Sequence, residues 1–157
     1  MTLYTSMPKI PLVLPTFEFT YDARVDLDPV RDLGPTPRGQ RMIVPIRGGI
    51  FEGPQLRGRV LAGGADRQLY LSDGTVELDA LYEMETEDGV VITVHNRVCL
   101  SPTGPDEVYA YSNVKFTVAQ GRYDWLNTRQ FIGTVERLHF EDPMDPKQVL
   151  IRVFMVT

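Results

Sequence analysis

The chain has little of what most recognisable functional sites are built from. Its 157 residues include one cysteine and two histidines. A single thiol, Cys99, closes no internal disulfide and fits a reducing compartment. Its neighbours Val98 and Leu100 suggest a strand, where a cysteine is expected to be a small buried hydrophobe. His95 and His139 are too few for a three-histidine zinc site, so no metal is expected. The 16 lysines and arginines are never adjacent, and the net charge is −5. A phosphate-binding face needs clustered cations, so nucleic acid is not an expected partner, and anionic membranes are disfavoured on the same ground. No apolar run approaches the ~20 residues of a membrane-spanning helix. The N-terminal run from Ile10 to Leu14 is broken by Pro11 and is too short for a signal-peptide core, which leaves the cytoplasm as the default compartment. Dinucleotide and mononucleotide glycine loops and the serine elbow of hydrolases are all missing. Cofactor-free chemistry, or no chemistry, is the starting point, and no cofactor is expected.

What is present is strand. Helical periodicity is almost absent, while a period of two recurs. Phe17 to Val25 alternates with one apolar face. The segment Leu33-Gly34-Pro35-Thr36-Pro37-Arg38-Gly39 reads as a loop, from its prolines and glycines. Arg41 to Ile46 is a short strand whose Pro45 belongs at an edge, an end or a bulge. Leu56 to Leu61 carries Gly58 inside it, which marks a bend or a close approach. Gly63-Gly64-Ala65-Asp66 is a turn, followed by a strand from Arg67 to Leu71. Asp73-Gly74 and Asp88-Gly89 are hairpin turns that bracket a three-strand meander. Within it Val76, Leu78, Ala80, Tyr82 and Met84 share a face. Ser101 to Asp106 reads as a loop, and Val108 to Val118 as one long strand. Arg122 to Asn127 makes a single helical turn. Gln130 to Phe140 and Val149 to Val156 flank a proline-rich turn as the last two strands. The expectation is one all-β domain over 1–157, with 1–14 an N-terminal extension. It is a closed antiparallel barrel of about eight or nine strands, because closure removes exposed edges.

The candidate site residues are polar groups in awkward places. Tyr82 lies on the apolar side of its strand, where its phenol either caps a core or points into a cavity. Asp79 sits mid-strand, where aspartate is disfavoured. It either faces solvent among glutamates or turns inward toward Arg41 or Arg57. Asp66 follows two glycines at a strand entrance, the kind of place where catalytic groups concentrate, and desolvation there would make it a general base. It reads equally as an Asx-turn residue. Trp125, the one tryptophan, plugs a barrel end or offers a ligand platform. Asn127 donates to a substrate oxygen or caps its turn. Asn96 and Tyr109 or Tyr111 are further interior candidates.

Several pieces in order resemble the family known as domain of unknown function 3237. They are Ile43-Val44-Pro45-Ile46-x-Gly48-Gly49-x-Phe51-x-Gly53-Pro54-x-Leu56-x-Gly58, then Gly63-Gly64-Ala65-Asp66, Leu78-Asp79-Ala80-x-Tyr82, and Tyr123-x-Trp125-Leu126-Asn127. The resemblance covers nearly the whole chain after residue 15 or so. It implies a small barrel, lipocalin-like or allene-oxide-cyclase-like, without implying an activity. Arg67 stands where members have tryptophan and Leu81 where they have arginine, so the pocket or its rim is expected to differ at these two positions.

Three functions compete. The first is a cofactor-independent isomerase, cyclase or lyase acting on a small, mostly apolar molecule. There Asp66 or Asp79 is the base, Tyr82 the proton donor, and Arg57 or Asn127 the group holding an oxygen. The second is a carrier barrel with the same cavity and no chemistry. The third is a filled barrel acting through oligomerisation, a homodimer being the commonest form. Ala80 separates them: room beside Tyr82 means a cavity.

Overall fold

The computed structural model describes residues 6–139 and 141–157. Eleven strands alternate along it: β1 (Phe17–Leu27), β2 (Arg31–Thr36), β3 (Gly39–Glu52), β4 (Arg57–Val60), β5 (Ala65–Tyr70), β6 (Val76–Thr86), β7 (Val91–Gly104), β8 (Glu107–Tyr109), β9 (Tyr111–Val118), β10 (Phe131–Arg137) and β11 (Gln148–Val156). One short 3-10 turn, Asp124–Asn127, is the helical element among the described residues. All pairings are antiparallel, and eight strands close a ring in the order β1-β3-β5-β6-β7-β9-β10-β11. The expected closed barrel is therefore the fold. The ring shuts where the two ends of the chain meet: Phe17 pairs with Val156, and Thr16 and Thr157 exchange both backbone hydrogen bonds at 2.8 Å.

The two Asp-Gly hairpins join β5, β6 and β7 as their turn chemistry requires. Gly74 and Gly89 take φ of +88° and +83°, and the Thr75 amide donates to Asp73 Oδ1 at 2.9 Å. Three expectations are corrected. The segment 33–39 is largely strand β2, an edge hairpin on β3, where Pro35 has no inner ladder to break. The segment 101–106 continues β7 into a hairpin with β8, so the long strand from Val108 divides at Ala110 into β8 and β9. The apolar face of β1 is also interrupted: a register shift between Phe19 and Tyr21 turns Tyr21, Ala23 and Val25 inward and leaves Phe17 and Phe19 exposed, Phe19 edge-on to Phe154. The strand expected over 130–140 is described as far as Arg137; Phe140 lies outside the described residues.

One wall of the ring is split. Between β3 and β6 lie two short strands. β5 pairs with residues 40–45 of β3 and 76–81 of β6, and β4 pairs with 49–52 and 84–86. The chain crosses from one to the other at Leu61–Gly64, where the Ile46 amide donates to the Gly64 carbonyl at 2.8 Å. Gly64 is required there by contact, since a Cβ would stand 2.4 Å from Tyr82 Cβ.

This split divides the interior. Around β4 the barrel is solid: Tyr21 packs edge-on against Phe51 and Phe116 at 5.7 and 6.1 Å, and Phe116 against Phe131 at 4.8 Å. Met84, Ile92 and Leu126 fill the remaining space. Around β5 the barrel is hollow.

Candidate functional site

The hollow end is a cavity of about 350 Å³, in the range of small-molecule sites. Its position follows from register. Asp66 on β5 pairs with Ala80 on β6, and Ala80 with Asn96 on β7. Three adjacent strands thus present Asp66, Ala80 and Asn96 in one row, with a methyl group in the middle. Strands lie about 4.8 Å apart, so the two polar side chains rise about 10 Å from one another with open space over Ala80. Tyr82, the next inward residue on β6, also lines the cavity. The rest of the wall is mainly aliphatic, with Leu27, Val44 and Ile151 representative. Exposed Tyr70, Arg137, Pro143 and Met144 stand at the rim.

Within this apolar wall three polar atoms are out of contact with solvent and lack a partner: Asp66 Oδ1, Asn96 Oδ1 and the Tyr82 hydroxyl. Native interiors leave few such groups, because each costs roughly 1–3 kcal/mol. The other carboxyl oxygen of Asp66 is held: Gln68 Nε2 donates to Oδ2 at 2.7 Å, and the Tyr70 hydroxyl donates to Gln68 Oε1 at 3.0 Å. A relay along one strand face therefore aims the carboxyl and leaves one oxygen free. Burial raises the Asp66 pKa above the ordinary carboxylate range; the hydrogen bond from Gln68 and one from the Asp79 backbone pull it partly back, and the Asp79 charge adds to the rise. Burial also pushes the Tyr82 phenol well above its usual value. It keeps its proton at any working pH. The Tyr21 hydroxyl behaves likewise, raised by burial and by the neighbouring Tyr82; neither phenol makes a hydrogen bond of good geometry to the other.

The remaining expected site residues are elsewhere. Asp79 faces outward, its Oδ1 2.7 Å from His95 Nε2 and its Oδ2 3.8 Å from Arg97 Nε on the next strand, so its partners are not Arg41 or Arg57. Strand alternation decides this: Ala80 faces in, so Asp79 faces out. Arg41 lines a shallow outer groove with Arg67 and Asp79. Arg57 is bound to Glu87 at 2.8 Å near the solid end. Tyr109 is exposed on β8, edge-on to Tyr111 at 5.1 Å. Trp125 packs on Phe131 at the solid end, 6.1 Å between ring centroids, and does not line the cavity. Asn127 ties the 3-10 turn to the end of β9: the Val118 amide donates to its Oδ1 and its Nδ2 donates to the Val118 carbonyl, both at 2.9 Å. Asn127→Ala is expected to cost about 1–2 kcal/mol, seen as a lower urea midpoint. Arg67 and Leu81 point outward on β5 and β6, so the two departures from the family pattern change the outer face and not the cavity. Cys99 is exposed, because Val98 takes the inward position.

Gln68 and Arg137 were not singled out by the sequence. In β5 the inward set is Asp66, Gln68 and Tyr70, while Leu69 faces the outer groove. That is the reverse of an ordinary core strand, and hydrophobic alternation points the wrong way. The period-two spacing of three polar residues was the available signal.

Related proteins share the barrel. A β-barrel-like protein of Acinetobacter baumannii superposes with a TM-score of 0.84 at 29% identity, over 95% of this chain and all of that one. A UPF0311 protein of Rhodopseudomonas palustris is 33% identical over 153 residues, 87% of this chain and 99% of the relative. A hydroalkoxylation enzyme of Penicillium herquei is 28% identical over 125 residues, 80% of this chain and 77% of the relative. The family model described as protein of unknown function DUF3237 matches residues 15–156, and the chain belongs to that family.

Proposed function

We propose that the protein is a cofactor-independent enzyme of the isomerase or cyclase type, which closes a ring in a small, mostly apolar molecule by adding its hydroxyl across its own carbon–carbon double bond. The observation that carries this reading is the carboxyl of Asp66, aimed by Gln68 into an apolar cavity with one oxygen unpartnered. A carrier gains nothing from a desolvated acid, whereas a proton-transfer enzyme needs one whose pKa is raised toward working pH. The similarity to a hydroalkoxylation enzyme supports the choice of reaction.

The chemistry balances on this chain's residues alone. Protonated Asp66 gives its proton to one alkene carbon. The substrate oxygen bonds to the other carbon, and the hydroxyl proton passes to the Asp66 carboxylate. A π bond and an O–H bond become a C–H and a C–O bond, and Asp66 ends as it began. The reacting hydroxyl faces Asp66, the Tyr82 hydroxyl donates to a substrate oxygen, and Asn96 Oδ1 on the far side of Ala80 accepts from a second polar group of the substrate. The aliphatic wall excludes water that would otherwise capture the cation-like carbon.

The probe is 2-prenylphenol, whose closure to the dimethylchroman leaves the mass unchanged. Chromatography with NMR is expected to show the chroman, carrying one carbon-bound deuterium when the reaction runs in D₂O. Tight binding of the phenol without conversion would favour the carrier instead.

A further inference from the structure

Among the described residues, Arg137 is the one cation in the cavity wall. It ends β10 opposite Val149, exposed at the rim. Among the described residues it makes no ion pair, whereas nearby Lys147 is paired with Asp145 at 2.8 Å and Asp26 accepts from Gln148 Nε2 at 2.6 Å. Asp66 is the one carboxylate among the described residues of the same wall, and it lies on the β5 side. The two charges give the cavity a polarity. The Asp66 row offers an anionic group no counter-charge, whereas the guanidinium at the mouth offers a planar fork of donors to an oxyanion.

We propose that the molecule taken by this cavity carries an oxyanion, such as a carboxylate, at the end remote from its reacting part, and that Arg137 fixes that group at the mouth while the apolar body reaches Asp66, Asn96 and Tyr82. This rests on the cavity being the ligand site. It makes Arg137 a specificity-determining residue that never touches the reacting atoms.

Two dyes with one skeleton test it. 8-Anilinonaphthalene-1-sulfonate is anionic, and N-phenyl-1-naphthylamine lacks the sulfonate. Fluorescence titrations compare the wild type, Arg137→Met and Ala80→Phe, with Ala80→Leu in reserve should the phenylalanine variant fail its circular-dichroism check. The wild type is expected to bind the sulfonate dye about tenfold more tightly than the neutral one, the yield of one charge-assisted contact. Arg137→Met should bring the sulfonate dye down to the neutral dye's level without moving the neutral dye, and filling the cavity at Ala80 should abolish both. Equal affinities in the wild type, or a preference that survives Arg137→Met, would overturn the assignment of Arg137 alone provided both dyes are still lost at Ala80→Phe. Binding of both dyes that survives a filled cavity would overturn the cavity reading and this inference together.

Discussion

Replacing Asp66 by asparagine is expected to abolish turnover and to stabilise the protein. The loss follows from the role: general acid–base transfer contributes about 10²–10⁴-fold, and asparagine can neither give the proton nor take it back. The gain follows from burial. Because desolvation raises the Asp66 pKa in the folded state, the unfolded chain ionises first as pH rises. Between the unfolded and folded pKa the native state holds the proton that the unfolded state has lost, so each step up in pH costs native stability at this residue. Above the folded pKa that cost is at its full value, and below the unfolded pKa it vanishes. The variant and the wild type should therefore melt together in acid and separate as pH rises, the asparagine form ahead at neutral pH. Thermal melts of both proteins from acid to neutral pH read this directly. Asp73 and Asp88, whose pKa values are lowered by hydrogen bonds from Thr75 and Thr86, act in the opposite sense but equally in both proteins, and cancel in the difference. A variant that is inactive and also less stable at neutral pH would mean that Asp66 is a structural residue.

The barrel was legible in the sequence because its determinants are local. Asp73-Gly74 and Asp88-Gly89 announce their hairpins, and the alternation from Val76 to Met84 names the inward face of β6. Asp66 and Tyr82, which line the cavity, stand out in the sequence as well, the first from its place after two glycines, the second as a phenol among aliphatic neighbours. Asp79 was not, because the test that decides it is alternation applied to its neighbour. Once Ala80 is inside, Asp79 is outside, and its match with His95 is a cross-strand pairing that no local pattern encodes. Arg57 and Asn127 belong to the solid end because the β4–β5 split, a long-range feature, decides which half of the barrel is filled. Gln68 is hidden in the sequence for a different reason. A functional wall inverts the core rule by turning its polar residues inward, and hydrophobic alternation then misleads where the chemistry lies.

Tyr82→Phe is expected to lower kcat/KM by about 10²-fold, the usual yield of one preorganised donor, while the fold is kept or slightly strengthened. The Tyr82 hydroxyl is buried without a partner among the protein's own groups, so removing it deletes a desolvation cost and leaves the packed ring in place. The cost of burial is then offset only when a substrate oxygen arrives to accept the hydroxyl's hydrogen bond. Because burial holds the phenol well above its ordinary range, it does not titrate where the enzyme works, and the pH–rate profile should keep its shape, with the limb set by Asp66 unmoved. Loss of rate with an unchanged profile and an unchanged or higher melting temperature is the signature of a donor. A shifted profile would make Tyr82 part of the proton transfer itself, and a lower melting temperature would make its hydroxyl a partner of Tyr21 in the core. Tyr21→Phe separates that last case, since Tyr21 is packed between Phe51 and Phe116 and does not line the cavity. Its loss should leave turnover within about twofold, the scatter expected of a contact that adds no transition-state interaction.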